Sequence, residues 1–220
     1  MAALTGKSAK VKYTSASFST AAGEAFTSLS ATTDRTEFRI TDATKRHWTR
    51  EQPPVVYVNS TAHTDFTYNP VQGKLSFVNA LSTAESAQVT ADVYWVTASY
   101  LPWTRTWSLD ANVSLHDVTS FSTTVADASW RTFAPGLQGA TVDLGRIVDT
   151  PTTETPMWFD RAITDTDVIL ELVINTAAST QKFEAYGRVE TDGFSVPIDS
   201  LQEESITIQV DGALYAATTE

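Results

Sequence analysis

Thr104-Arg105-Thr106-Trp107-Ser108-Leu109-Asp110-Ala111-Asn112-Val113-Ser114 alternates polar and apolar residues along its whole length. In an extended chain, successive side chains point to opposite faces, so Trp107, Leu109, Ala111 and Val113 share one face and the polar residues the other. A stretch of this kind reads as a long, half-buried β-strand. The same period recurs upstream in the run from Gln88 to Ser99, where Val89, Ala91, Val93 and Trp95 fall on one face.

Working outward, the chain repeats the pattern. Val11-Lys12-Tyr13-Thr14, Thr36-Glu37-Phe38-Arg39-Ile40-Thr41, Val55-Val56-Tyr57-Val58 and Asp65-Phe66-Thr67-Tyr68 read as strands, as do Lys74–Val78 and Thr141–Arg146. Val168–Ile174 is apolar enough for a fully buried strand, and Lys182–Glu190 is expected to pair with it. Ser195–Pro197, Ser205–Val210 and Ala213–Tyr215 complete the β content. Asn69-Pro70-Val71-Gln72-Gly73 is a hairpin turn, with Pro to set φ and Gly to accept positive φ. Asp42–Arg46 is a turn or a single helical turn capped by Asp42. Ser19–Ala25, which contains Gly23, reads as a loop, and Ala134-Pro135-Gly136-Leu137 as a sharp turn. Thr155-Pro156 offers an N-cap followed by proline at the first helical position, so one short helix is expected over Pro156–Ile163. The expected fold is therefore all-β, mainly an antiparallel β-sandwich, with that one short helix. Residues 1–10 read as a flexible arm, 11–100 as a β-rich N-terminal part and 101–220 as a second β part, with the boundary at Leu101-Pro102-Trp103.

Composition bounds the function. The chain has 220 residues, 42% of them hydrophobic, which is enough to bury a core. It has no cysteine, which removes disulfides, thiol catalysis and thiolate metal sites together. The first residues lack the apolar stretch of a signal peptide, and no run approaches the ~18 apolar residues of a membrane span. These features predict a soluble protein made in the cytoplasm, with no membrane partner. The net charge of −11 argues against wrapping nucleic acid, which needs clustered Lys and Arg. It is compatible with plain solubility and also with a channel through which nucleic acid slides.

A search for chemistry yields little. His47, His63 and His116 stand in no metal-ligand spacing, and His116 and Asp117, being adjacent in a strand, face opposite ways. Each is expected at the surface or in a loop. There is no Gly-rich phosphate loop and no nucleophile elbow. Asp165-Thr166-Asp167 lacks the further ligands of a calcium loop and reads as a solvated loop, as does Glu203-Glu204 ahead of a strand. Trp103, Trp107, Trp130 and Trp158 are candidates for a carbohydrate platform, but Trp107 is in phase with Leu109 and Val113, and Trp158 sits beside Met157. Both read as core. No catalytic, metal or cofactor-binding residue is assigned, no cofactor is implied, and the chain is expected not to be an enzyme. What the strands do raise is an edge problem. Stretches as long as Gln88–Ser99 and Thr104–Ser114 make poor lonely edges, and pairing between subunits in a closed ring is one way to cover them.

Two groups of residues carry a resemblance. Trp107–Ser114 followed by Trp130-Arg131-Thr132-Phe133-Ala134-Pro135-Gly136-Leu137-Gln138-Gly139 is similar to the major tail, or tail tube, proteins of bacteriophages with long non-contractile tails. So is Phe183–Glu190 running through Ser195-Val196-Pro197-Ile198-Asp199 to Asp211-Gly212. The resemblance covers residues 101–220, and Phe38–Arg46 with the Asn69–Phe77 hairpin resembles the front of similar proteins more loosely. It implies a β-sandwich subunit of the virion tail, assembled into hexameric rings stacked as a tube. Strands of neighbouring subunits would close a β-barrel around an acidic lumen that DNA crosses on ejection without specific binding. The implied partners are copies of the chain itself, a tape-measure protein and other tail proteins. The alternatives are a phage decoration or tail-terminator protein, or a carbohydrate-binding β-sandwich module.

Overall fold

The computed structural model describes residues 10–14, 18–29, 35–101, 103–117, 133–148, 167–174, 181–195 and 202–218. The expected helix over Pro156–Ile163 and the arm up to residue 9 lie outside them. Alternation between small polar and β-branched or aromatic residues is the arrangement a pleated sheet accepts on one buried and one wet face, and strands dominate accordingly. In chain order they are β1 (Lys10–Thr14), β2 (Ser19–Ser28), β3 (Glu37–Ile40), β4 (Val55–Val58), β5 (Thr61–His63), β6 (Phe66–Asn69), β7 (Lys74–Phe77) and β8 (Val89–Trp95). There follow β9 (Ala98–Tyr100), β10 (Thr104–Asp117), β11 (Phe133–Val148), β12 (Asp167–Val173), β13 (Gln181–Ser195), β14 (Gln202–Val210) and β15 (Tyr215–Thr218). The described helical content is a 3-10 turn at Ala43–Lys45 and a four-residue helix, α1 (Thr83–Ser86). Asp42 caps the former, as expected, by accepting from the Thr44 amide. Ser82 and Glu85 form a reciprocal capping box on the latter.

All ladders are antiparallel and form two curled sheets. The first runs β5-β4-β8-β2-β3-β7-β6. Its terminal strands β5 and β6 are consecutive in the chain, so the sheet curls until its ends approach, and the His63 ring of β5 lies 5.3 Å from Phe77 of β7. The turn Asn59-Ser60 joins β4 to β5 with both residues at positive φ, the backbone of a two-residue hairpin turn whose twist matches its strands. Inside sit Phe26, Phe38, Ile40, Trp48, Val56, Leu75, Val89, Ala91 and Val93. Side chains of this size each contribute about 1.5–3 kcal/mol on burial.

The second sheet runs β10-β11-β14-β13-β12-β1-β9, with β15 also on β13. Its core holds Val142, Leu144, Val168, Leu170, Leu172, Ile206 and Ile208, with Trp107 and Leu109 packed against them. Because β1 pairs directly with β9, with Thr14 opposite Ala98, the whole first sheet is an excursion of the chain between two paired strands of the second.

Three local expectations are corrected. Ser19–Ala25 is not a loop but part of β2, which bulges between Ala21 and Glu24. Gly23 supplies the positive φ for that bulge, and its amide donates to the Asp92 carboxylate at 2.7 Å. Ala134–Leu137 does not turn the chain. β11 runs through it, with an irregularity opposite Val113–Leu115 that absorbs the Pro-Gly pair. The run Gln88–Ser99 is two strands in different sheets, β8 and β9.

The Asn69–Gly73 turn is as expected in shape, with Asn69 Oδ1 accepting from the Val71 and Gln72 amides, and its Val71, Gln72 and Gly73 are buried. Gly73 has φ +61°, and a Cβ there would stand 2.7 Å from the Arg46 carbonyl oxygen and 2.9 Å from its Cα. Both are backbone atoms that cannot rotate away. Gly73→Ala is expected to cost about 2–3 kcal/mol, from left-handed strain and overpacking together, read as a lowered urea midpoint with the slope unchanged.

Candidate assembly edge and buried junction

The alternating stretch Thr104–Asp117 forms one end of the second sheet. β10 pairs with β11 on one side, and among the described residues no strand pairs with its other side. The pairing is long, from Thr104 opposite Arg146 to Asp117 opposite Phe133. The proximal half packs as expected: Trp107 and Leu109 lie against Val142, Leu144 and the rest of the core. The distal half does not. Ala111 and Val113 continue the apolar face of Trp107 and Leu109, yet both are exposed, because the hairpin projects past the strands that would cover them. Val113 is 45% exposed, Leu115 61% and Leu137 86%. Monomeric proteins usually guard a long edge with lysine, proline or inward charge. Here Arg105 stands at the start and Asp110 and Asp117 are the only acids, leaving an open backbone row next to apolar side chains.

A second constellation lies where the two sheets meet. The segment Arg46–Thr49 is clamped between the end of β8 and the Asn69–Gly73 turn, the Trp48 amide donating to Pro70 O and the Val96 amide to His47 O. The clamp presses His47 inward against β12 and β13. His47 is therefore in a loop, one of its two expected placements, but it is buried, 7% exposed. Its Nδ1 donates to the Val71 carbonyl at 2.8 Å, and its Nε2 faces Glu171 Oε2 at 3.5 Å. Glu171 stands directly opposite Glu184 in the β12–β13 register, and Lys182 Nζ lies 2.5 Å from Glu184 and 3.6 Å from Glu171. Gln72 of the buried turn donates to the other Glu184 oxygen.

Alongside, Arg50 reaches from the same segment to Asp167 at 2.5 Å and Asp211 at 2.7 Å, with its guanidinium carbon 4.4 Å from the Tyr186 ring centroid. Burial lowers the Arg50 pKa, but hydrogen bonds and charge from Asp211 and Asp167 outweigh it and hold the group above its ordinary value. Asp211 is held below the usual carboxylate range chiefly by the Arg50 hydrogen bond. The Tyr186 hydroxyl, its pKa pushed up mainly by burial, donates to the Trp48 carbonyl.

The remaining candidates distribute as follows. Asp167 opens β12 and binds Arg50 and Arg188, while Asp165 and Thr166 lie outside the described residues. Glu203 and Glu204 are not a solvated pair before a strand. They lie inside β14, and Glu204, 2% exposed, is bonded to the buried Arg146 guanidinium, while Glu203 faces Arg105 at 3.7 Å. Trp103 is exposed at φ +60°, Trp107 is core, and Trp130 and Trp158 lie outside the described residues, so no tryptophan platform is assembled among those described. His63 is half-buried against Phe77. Sequence reading missed the junction because its members are far apart in the chain and no spacing rule links them.

No family model and no curated protein sequence matches this chain. Among solved structures, it is similar to a chain of the virion of a native gene transfer agent particle. The TM-score is 0.46 and the identity 11%, covering 55% of this chain and 88% of that one. A chain from the tail of an empty gene transfer agent particle, refined helically with C6 symmetry, gives the same TM-score and identity over 55% and 87%. The SPP1 tail tube, solved by solid-state NMR and cryo-EM, matches at TM-score 0.41 and 15% identity over 55% of this chain and 67% of that one.

Proposed function

We propose that this chain is a non-enzymatic structural subunit of a phage tail tube. It pairs with copies of itself into stacked hexameric rings in the virion tail, with a tape-measure protein and other tail proteins as neighbours. The observation that carries this reading is the open β10 edge with its uncovered apolar tip. A strand edge of this length offers a row of N–H and C=O groups to another chain, and Val113, Leu115 and Leu137 lose water when that chain arrives. Repeating one such contact around an axis covers the β10 edge of every copy, which a single copy cannot do. The resemblance in residues 101–220 names the same kind of assembly. The net charge of −11 suits a lumen that repels phosphate and lets DNA pass.

Negative-stain microscopy of concentrated protein tests the reading. Rings or tubes are expected from the wild-type chain, and monodisperse particles without them from Leu115→Asp combined with Leu137→Asp. Both positions are exposed, so the variant is expected to keep the wild-type circular dichroism spectrum. A wild-type protein that stays monomeric at every concentration and ionic strength overturns the proposal.

A further inference from the structure

The junction between the sheets holds an arrangement that assembly does not use. His47, Glu171 and Glu184 are each more than nine-tenths buried, and one ligand atom from each lies within 4.8 Å of the others. The imidazole is oriented from behind. A carbonyl oxygen only accepts, so Nδ1 carries the proton in its 2.8 Å bond to Val71 O, which leaves Nε2, facing Glu171 Oε2, as the ring atom a metal would take. A backbone carbonyl holding the far nitrogen is the arrangement that fixes metal-binding histidines. At 3.5 Å, Nε2 and Oε2 are beyond ordinary hydrogen-bond range. Two bonds of about 2.0 Å at a tetrahedral angle would set two donor atoms about 3.3 Å apart, close to what is observed. Gln72 steadies the second carboxylate by donating to Glu184 Oε2 at 3.3 Å.

Two carboxylates directly opposite one another on neighbouring strands repel unless a cation stands between them. Lys182 supplies an ammonium, 2.5 Å from Glu184 but 3.6 Å from Glu171. Lys12 of β1 stands opposite Glu171 in backbone register. We propose that His47, Glu171 and Glu184 form a site for a zinc-class divalent cation, and that Lys182 is the exchangeable counter-ion that holds the site when the metal is absent. The donor set of one imidazole and two carboxylates is one that zinc accepts, with a fourth position left for water. A long flexible stem lets the lysine retreat toward solvent as the metal enters. Since His47 comes from the segment before β4 and the glutamates from β12 and β13, the metal would fasten the first sheet to the second.

The test is calorimetric titration of the full chain with zinc chloride, paired with thermal unfolding in zinc and in EDTA. Binding at one zinc per chain with a raised midpoint is expected. His47→Gln and Glu184→Gln are each expected to weaken it by about 100-fold or more, since loss of an outer partner alone costs 10–100-fold. Lys182→Met is expected to bind zinc tighter than wild type, because the competing charge is gone. Cobalt(II) gives a readout that stability does not move: tetrahedral visible absorption in wild type, lost in folded His47→Gln. Equal zinc responses in wild type and His47→Gln, or no zinc binding by wild type, overturn the proposal. None of these outcomes depends on tube formation.

Discussion

Arg146→Met is expected to destabilise the fold by about 3–5 kcal/mol, the cost of leaving a buried charge without its partner. Arg146 and Glu204 face each other across the β11–β14 register, and their side chains are almost completely enclosed. Arg146 Nε donates to Glu204 Oε2, while Glu204 Oε1 is buried without a partner. A second carboxyl depends on the same guanidinium. Both Asp192 oxygens are buried and unpaired; burial raises its pKa, and the Arg146 charge pulls the other way. Removing Arg146 therefore strands two carboxyls. A carboxyl whose folded pKa lies above its unfolded value contributes most when protonated and loses that contribution as pH rises. The deficit of Arg146→Met is accordingly expected to be small in acid, near the ordinary carboxylate range, and largest at neutral pH. Replacing both partners, Arg146→Met with Glu204→Leu, is expected to recover the share of the loss that belongs to Glu204, because two apolar groups of similar volume need no compensation, and to leave the share that belongs to Asp192. Urea midpoints at pH 4 and pH 7 check both statements. A single variant as stable as wild type at pH 7 would show that water reaches the pair.

That pair shows where sequence reading stops. The period-two pattern located the strands because one buried face leaves a direct trace in residue order. Phe38 and Ile40, Val89, Ala91 and Val93, and Val142 and Leu144 are buried as the alternation predicts, and Val168 to Leu172 is buried throughout as its continuous apolar run predicts. It failed where the backbone departs from the pleat. A glycine inside a strand and a glycine in a loop look alike in sequence, so the bulge at Gly23 was expected as a break. The Pro-Gly irregularity of β11 misled in the same way. Glu204 was read with Glu203 as part of a solvated loop and is buried, and nothing in the residue order singled out Glu171, Glu184 or Arg146, which are buried as well. Arg146 reaches Glu204, and His47 reaches Glu171, only through tertiary pairing, whereas Lys182 and Glu184 are neighbours on one face of β13. The excursion of the first sheet between β1 and β9 is likewise invisible, since nothing in Lys10–Thr14 announces a partner some eighty residues away. The open edge was half legible: Thr104–Ser114 was expected to need covering and does end its sheet, whereas β8 lies in the interior of the other.

Trp48→Ala is the other large expected effect, about 3–5 kcal/mol, for loss of the largest enclosed side chain in the first sheet's core. The indole fills the centre of that core edge-on to Phe26 at 5.9 Å, and its Nε1 donates to the Lys45 carbonyl at 2.8 Å. Truncation leaves a cavity and an unpaired carbonyl together, so Trp48→Phe, which loses the hydrogen bond but keeps most of the volume, is expected to cost about half as much. The more informative quantity is coupling. The Trp48 carbonyl accepts from Tyr186 of the second sheet, so the segment that anchors one core also docks the other. Tyr186→Phe removes only that hydroxyl and is expected to cost about 1–2 kcal/mol. If the junction transmits packing from one sheet to the other, the effects of Trp48→Ala and Tyr186→Phe are not additive. Once the Trp48 backbone is free to shift, the hydroxyl has less to lose, and the double variant should fall short of the sum by at least about 0.5 kcal/mol. Strict additivity would mean that the two sheets hold their shapes independently, and the first would then be expected to unfold in a separate, earlier step of the denaturation curve.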